Sequence, residues 1–236
     1  MSFTASDIFK RVRILLQDEA SDRWPLPELL LWLNDGAREI ALLKPTATAT
    51  TVVLPLAQGT YQVLPDGYLS IMRAVRNITS GDAPARVGGR PVKPVDHELL
   101  DAQAPGWHDP TIIPQAVAVK HVVFDQVNPT VFYVYPGNTG AGRMEVVLSR
   151  MPEIIEEPVT ADDIDEYSTS VDLPDIYANA LVDYVMYRAF TKDMAAGGNA
   201  ARATMHYQQF SQALGIKITA EARANVNVKP QGENAA

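Results

Sequence analysis

The chain has 236 residues, with 20 Lys and Arg against 28 Asp and Glu, for a net charge of −8. At 47% hydrophobic and 20% charged it has an ordinary globular composition, which excludes disordered, collagen-like and coiled-coil chains. The absence of cysteine excludes disulfides, thiolate metal sites and a cysteine nucleophile.

Met1–Asp7 has no basic segment followed by an apolar core, so no secretory signal is expected. No apolar run approaches the ~20 residues of a membrane span. These features point to a soluble protein of the cytoplasm, long enough for one large domain or two small ones.

A first helix is expected from Ala5 to Glu19. Thr4 and Asp7 have capping-box spacing, and Ile8, Val12, Leu15 and Leu16 recur at helical period. The loop Ala20–Pro27 interrupts it. A second helix runs from Pro27 to Leu43, with Leu29, Leu30, Leu33, Ala37, Ile40 and Ala41 on its apolar face; Lys44-Pro45 stops it. Thr48–Leu54, Gly59–Leu64 and Tyr68–Ile78 read as strands, with Pro65-Asp66-Gly67 as a turn. Gly81–Pro94 reads as a loop or exposed arm, and Asp96–Gln103 as a short helix. Ala116–Phe124, Thr130–Tyr135 and Arg143–Ser149 are rich in Val, Phe and Tyr, and their spacing predicts a three-strand antiparallel meander with a hairpin turn within Pro136–Gly142. Leu173-Pro174-Asp175 opens a third long helix, with Tyr177, Leu181, Tyr184, Val185 and Arg188 on one stripe. Asn199 starts a fourth, which carries Ala203, Tyr207, Phe210 and Leu214 and ends at Gly215.

Two short helix pairs cannot each bury a stripe alone. The economical arrangement is an α+β fold: a four-helix bundle formed by the N- and C-terminal pairs, an inserted antiparallel β-rich lobe and an extended C-terminal tail. The expected division is residues 1–46 and 156–215 for the helical lobe, 47–155 for the β lobe and 216–236 for the polar tail.

The acidity is local. Nine carboxylates and no Lys or Arg lie between Pro152 and Asp175, and without them the chain would carry about +1. A solvated acidic loop explains this, and so does a surface that must not adhere to phosphates. No run rich in Lys and Arg suggests tight nucleic-acid binding.

No catalytic constellation emerges. His97, Glu98, Asp101, His108 and Asp109 form the densest cluster of histidine and carboxylate, but no two histidines have a ligand-pair spacing, so neither a metal nor another cofactor is expected. His121 and His206 read as packing or surface residues. Nothing sets a pair of acidic-stretch carboxylates at a glycosidase distance. There is no phosphate-cradling glycine motif. Trp24, Trp32, Tyr177, Tyr184, Tyr187, Phe190, Tyr207 and Phe210 fall at helical spacing and read as core, with some available to a neighbouring subunit.

An ordered set of segments carries a resemblance: Arg23-Trp24 with Glu28–Ile40, Pro105–His108, Asn128–Pro136, Ala180–Asp193, then Gly198-Asn199 and His206–Phe210. Together, over roughly Arg23 to Leu214, they resemble the phage head-to-tail adaptor, or connector, proteins of short-tailed phages, whose distant relatives are the tail tubular A-type gatekeeping adaptors. The resemblance implies a virion structural protein and not an enzyme. Copies would form a homo-oligomeric ring, twelvefold, below the portal protein at the capsid vertex, after assembly in the host cytoplasm. The helical lobe would face portal and neighbours, and the β lobe the downstream tail or nozzle protein. DNA would pass through the channel without specific binding, and no membrane is involved. The C-terminal segment would reach the portal, with Ile216, Ile218, Val226, Val228, Lys229 and Pro230 as docking candidates. Glu153, Glu156, Glu157, Asp162, Asp163 and Asp165 are candidates for the channel lining. The alternatives are a virion-associated peptidoglycan hydrolase and a monomeric interaction domain.

Overall fold

The structure is a computed structural model that describes residues 3–81, 85–125 and 127–224, the last nine of these by backbone alone. The chain forms two compact units. One contains the chain up to Ala47 and from Pro152 onward; the other is Thr48–Met151.

The first unit is helical. Helix α1 (Ala5–Leu16) starts at a complete capping box: Asp7 N donates to Thr4 Oγ1 (3.2 Å), and Thr4 N donates to the Asp7 carboxylate (2.9 Å). It stops at Leu16 because Gln17 turns left-handed, at φ 56°, and returns its N–H to the carbonyls of Arg13 and Ile14. Helix α2 (Leu26–Leu43) has Pro27 in its first turn and ends before Pro45. Helix α4 (Ala178–Lys192) follows a 3-10 turn, Asp175–Tyr177, and α5 spans Asn199–Ala224.

The core joins Ile8, Phe9 and Val12 of α1, Leu29, Leu33 and Ile40 of α2, and Leu181, Val185 and Ala189 of α4. Each fully buried aliphatic of this kind contributes about 1.5–3 kcal/mol by leaving water. All six apolar-face residues expected on α2 are buried.

The fold class α+β stands, but the four-helix bundle with an inserted β lobe does not: the described residues form five α-helices and two four-stranded sheets. In a bundle each helix packs on two neighbours. Here α1, α2 and α5 all pack on α4, and α5 makes no comparable contact with α1 or α2. Among the described side chains of α5, Ala203, Phe210 and Leu214 form a narrow buried apolar stripe, while Tyr207, expected on that stripe, is exposed. The fourth side of the core is closed by an irregular strap, residues 152–177, which contributes Ile155, Tyr167, Val171, Leu173 and Tyr177.

The extended tail beginning at Ile216 is also corrected, because α5 continues through Gly215 to Ala224. Gly215 does not adopt the left-handed conformation of a C-terminal cap. A helical glycine costs about 1 kcal/mol, and the Ala-, Lys-, Glu- and Arg-containing stretch after it favours helix enough to carry the helix on.

The second unit is built from strands β1 (Ala49–Pro55), β2 (Gln58–Val63), β3 (Tyr68–Ser80), β4 (Val87–Pro91), β5 (Lys93–Pro94), β6 (His121–Phe124), β7 (Val131–Thr139) and β8 (Arg143–Arg150), with helix α3 (His97–Gln103) capped by Asp96. One sheet has the order β1-β8-β3-β4 and the other β2-β7-β6-β5. Inward residues of both sheets share a core of Leu54, Ala74, Met144, Val146 and Leu148 with Leu64, Val122, Phe132 and Val134.

The expected meander is therefore wrong in one link. β6 and β7 pair antiparallel, but β8 crosses to the other sheet and lies between β1 and β3. Residues 140–142 form no hairpin turn. They are held by buried Asn138, whose Nδ2 donates to the carbonyls of Ala116 (3.1 Å) and Val117 (2.9 Å) and whose Oδ1 accepts from Gly140 N (2.8 Å) and Gly142 N (3.0 Å). The Gly81–Pro94 stretch, expected as a loop, supplies β4 and β5. Both are edge strands, where proline is tolerated because one side of the backbone needs no ladder partner.

Candidate functional site

The acidic strap takes its course from its backbone and apolar side chains. Asn34 on α2 brackets it at one residue: Ile155 N donates to Asn34 Oδ1 and Asn34 Nδ2 donates to Ile155 O, both at 3.0 Å. Further along, Ser6 N donates to Tyr167 O (2.9 Å) and Val171 N to Phe3 O (2.9 Å), which ties the strap to the start of α1. Tyr167 is buried edge-on against Phe9, ring centroids 5.2 Å apart, and its hydroxyl donates to Ala161 O (2.8 Å). Burial, reinforced by the nearby carboxylates of Glu157 and Asp162, pushes its phenol up to about 12.

With Ile155, Tyr167, Val171 and Leu173 turned inward, the carboxylates are left outside. Glu153, Glu156, Glu157, Asp162, Asp163 and Asp165 are all exposed. They are not equivalent. Asp163 Oδ1 caps the 3-10 turn Ile164–Glu166 by accepting from Asp165 N (3.0 Å). Asp165 pairs with Lys10 of α1 (2.8 Å). Among the described residues, the carboxylates of Glu153, Glu156, Glu157 and Asp162 make no hydrogen bond or ion pair. Exposed carboxyls of this kind create a negative surface.

Of the docking candidates, Ile216 and Ile218 fall within α5, and Val226, Val228, Lys229 and Pro230 lie outside the described residues.

The His and carboxylate cluster assembles around α3, and its interactions build the fold. His97 Nδ1 lies 3.0 Å from Asp101 Oδ2, one helical turn away, and Trp107 Nε1 donates to the other oxygen of Asp101 (2.7 Å). The His108 ring lies over Trp107, centroids 3.7 Å apart, with Nδ1 2.8 Å from Thr60 Oγ1. Burial, with His97 alongside, lowers the His108 pKa. Asp109 accepts from the backbone and hydroxyl of Thr111, and Glu98 is exposed beside a cleft of about 690 Å³ that also includes His97, Phe124 and Tyr133. Among the described residues no group of three or more His, Asp or Glu could hold a metal ion. His206 pairs with Asp183 (2.9 Å), and His121 stacks on Tyr135. No helix among the described residues is long and apolar enough to cross a membrane.

One surface was hidden from the periodicity. Leu15, placed by its spacing on the buried stripe of α1, is 56% exposed, and Ile14 beside it is 68% exposed. Both border a shallow groove of about 570 Å³ between α1 and α4, with Arg11, Asn179, Val182 and Asp183. The only warning in the sequence is that Ile8, Phe9 and Val12 already complete a stripe that Ile14 lies opposite.

No curated protein matches the chain in a sequence comparison. The family described as SU10 adaptor protein matches residues 3–231, covering both compact units and nearly the whole sequence. The chain belongs to the SU10 adaptor protein family.

Proposed function

We propose that this chain is the head-to-tail adaptor of a phage virion, present as a ring of twelve copies below the portal, joining capsid to tail and continuing the DNA channel. Its family supports a phage adaptor with a structural role in the virion. The observation that carries the finer reading is the strap. It presents an unbroken series of exposed carboxylates from a segment fixed by its backbone to the helical unit, and four of them have no cationic partner among the described residues. A bore faced with such groups repels phosphates, so DNA slides through without adhering. Glu157, Asp162 and Asp163 lead the lining. Asp165, already paired with Lys10, contributes less.

In this reading the helical unit meets the portal and the Thr48–Met151 unit meets the downstream tail or nozzle protein. Docking to the portal uses the C-terminal segment with Ile216, Ile218, Val226, Val228, Lys229 and Pro230. Leu214 is the last of the described core residues of α5, and the test removes residues 216–236. The truncated chain is expected to unfold at the same denaturant midpoint as the full chain and to lose co-elution with the cognate portal. Unchanged co-elution would refute the docking assignment.

A further inference from the structure

We propose that neighbouring copies of this chain meet head to tail through two complementary patches of the helical unit: the groove beside α1 on one copy and the start of the acidic strap on the next. The inference rests on the ring reading above and names the surfaces that close it.

The first patch is aliphatic and cationic. Ile14 and Leu15 stand exposed at the groove they share with Val182, and Arg11, which makes no ion pair among the described residues, is the cation that lines it; Lys10, one residue earlier on α1, is held by Asp165. Asp7 is occupied in the capping box and Asp183, at the groove's rim, is occupied by His206. The second patch is aliphatic and anionic. Ile154 is 52% exposed and Val159 fully so, and Glu153 and Glu156 lie beside them in the chain without cationic partners among the described residues.

A lone exposed aliphatic is ordinary. Here two pairs occur, and the charges beside each that have no ionic partner among the described residues are of opposite sign, Arg11 at the first and Glu153 and Glu156 at the second. That complementarity selects the occupant. An acidic, aliphatic segment fits the cationic groove, and this chain carries one. Nucleic acid satisfies the cations but leaves Ile14 and Leu15 without a partner. Because the two patches are different surfaces of one chain, their contact is heterologous, the kind that closes a ring. Glu153 and Glu156 then lie in the seam between copies, which leaves Glu157, Asp162 and Asp163 to face the bore.

The chain has no cysteine, so introduced thiols report only the contact they are placed to test. Leu15→Cys and Val159→Cys are made in separate chains, mixed in equal amounts, added to the portal and mildly oxidised. A covalent dimer is expected from the mixture and from neither variant alone. Charge exchange supplies a second readout: Arg11→Glu and Glu156→Lys each lower ring formation about tenfold, and the two together restore it. Full rings without the mixed cross-link, or with Leu15→Cys joined to itself, overturn the inference and leave the ring standing. Loss by Arg11→Glu of the first copy's attachment, with no effect on later copies, assigns the groove to the portal and also overturns it. Absence of any ring from the unmodified chain removes the ring reading and this contact with it.

Discussion

Asn138 concentrates four hydrogen bonds on one buried side chain, satisfying two carbonyls and two N–H groups where the chain leaves one sheet for the other. Replacing it by alanine strands those groups without water. Asn138→Ala is expected to cost about 3 kcal/mol in chemical denaturation, and a loss below about 1 kcal/mol would show that the crossing is held by something else. Gly36 illustrates a competition of two effects. Alanine there would gain about 1 kcal/mol of helix propensity, but its Cβ would sit 2.8 Å from Tyr184 Cδ1 and 3.1 Å from Leu181 Cδ2. Overpacking of this kind costs about 1–3 kcal/mol, so Gly36→Ala is expected to be net destabilising. Tyr167 gives a pH signature. Its phenol is raised from 10.0 to about 12, so the folded chain keeps the proton in a range where the unfolded chain loses it. The associated stability is complete below pH 10 and disappears as pH climbs to 12, a loss of up to about 3 kcal/mol. Tyr167→Phe is expected to flatten the stability profile in that window, at a constant cost of about 1 kcal/mol for the lost bond to Ala161.

At the scale of elements, Gly215 separates two descriptions of the C-terminus. It has a helical backbone and nothing within 4 Å of an added Cβ, so Gly215→Ala is expected to stabilise the chain by about 0.5–1 kcal/mol. A cap in the left-handed conformation would make the same change destabilising. That position also shows what the sequence conveyed and what it hid. The long helices were legible because Thr4, Pro27, Lys44-Pro45 and Asn199 punctuate clear 3.6-residue stripes. Gly215 misled because glycine after a stripe usually ends a helix. The pairing of β8 was not legible at all. Met144, Val146 and Leu148 alternate as any half-buried strand does, and nothing local records that their partners lie near Val52 and Ala74, not on β7. Within Pro136–Gly142, Asn138 reads as a turn former until its distant partners at residues 116 and 117 are seen. Gly88, Gly89, Pro91 and Pro94 read as loop punctuation because edge strands tolerate what central strands do not. The acidic strap was visible as charge, but its role in closing the helical core rests on Ile155 and Tyr167, two apolar residues scattered among carboxylates. Those long-range contacts are also what replaced the expected bundle with helices grouped on α4.

At the scale of the whole molecule, the chain is an adaptor whose chemistry is spent on assembly. The strap carboxylates from Glu153 to Asp165 are exposed, and its histidines are engaged with carboxylate, hydroxyl or aromatic partners. The proposed ring assembles on the portal, so the purified chain alone is expected to be a monomer. The most direct measurement is native mass spectrometry of the chain, of its cognate portal and of the two mixed. One adaptor per portal subunit in the mixture, with monomer alone, is the expected result. A chain that remains monomeric in the presence of portal would contradict the adaptor ring.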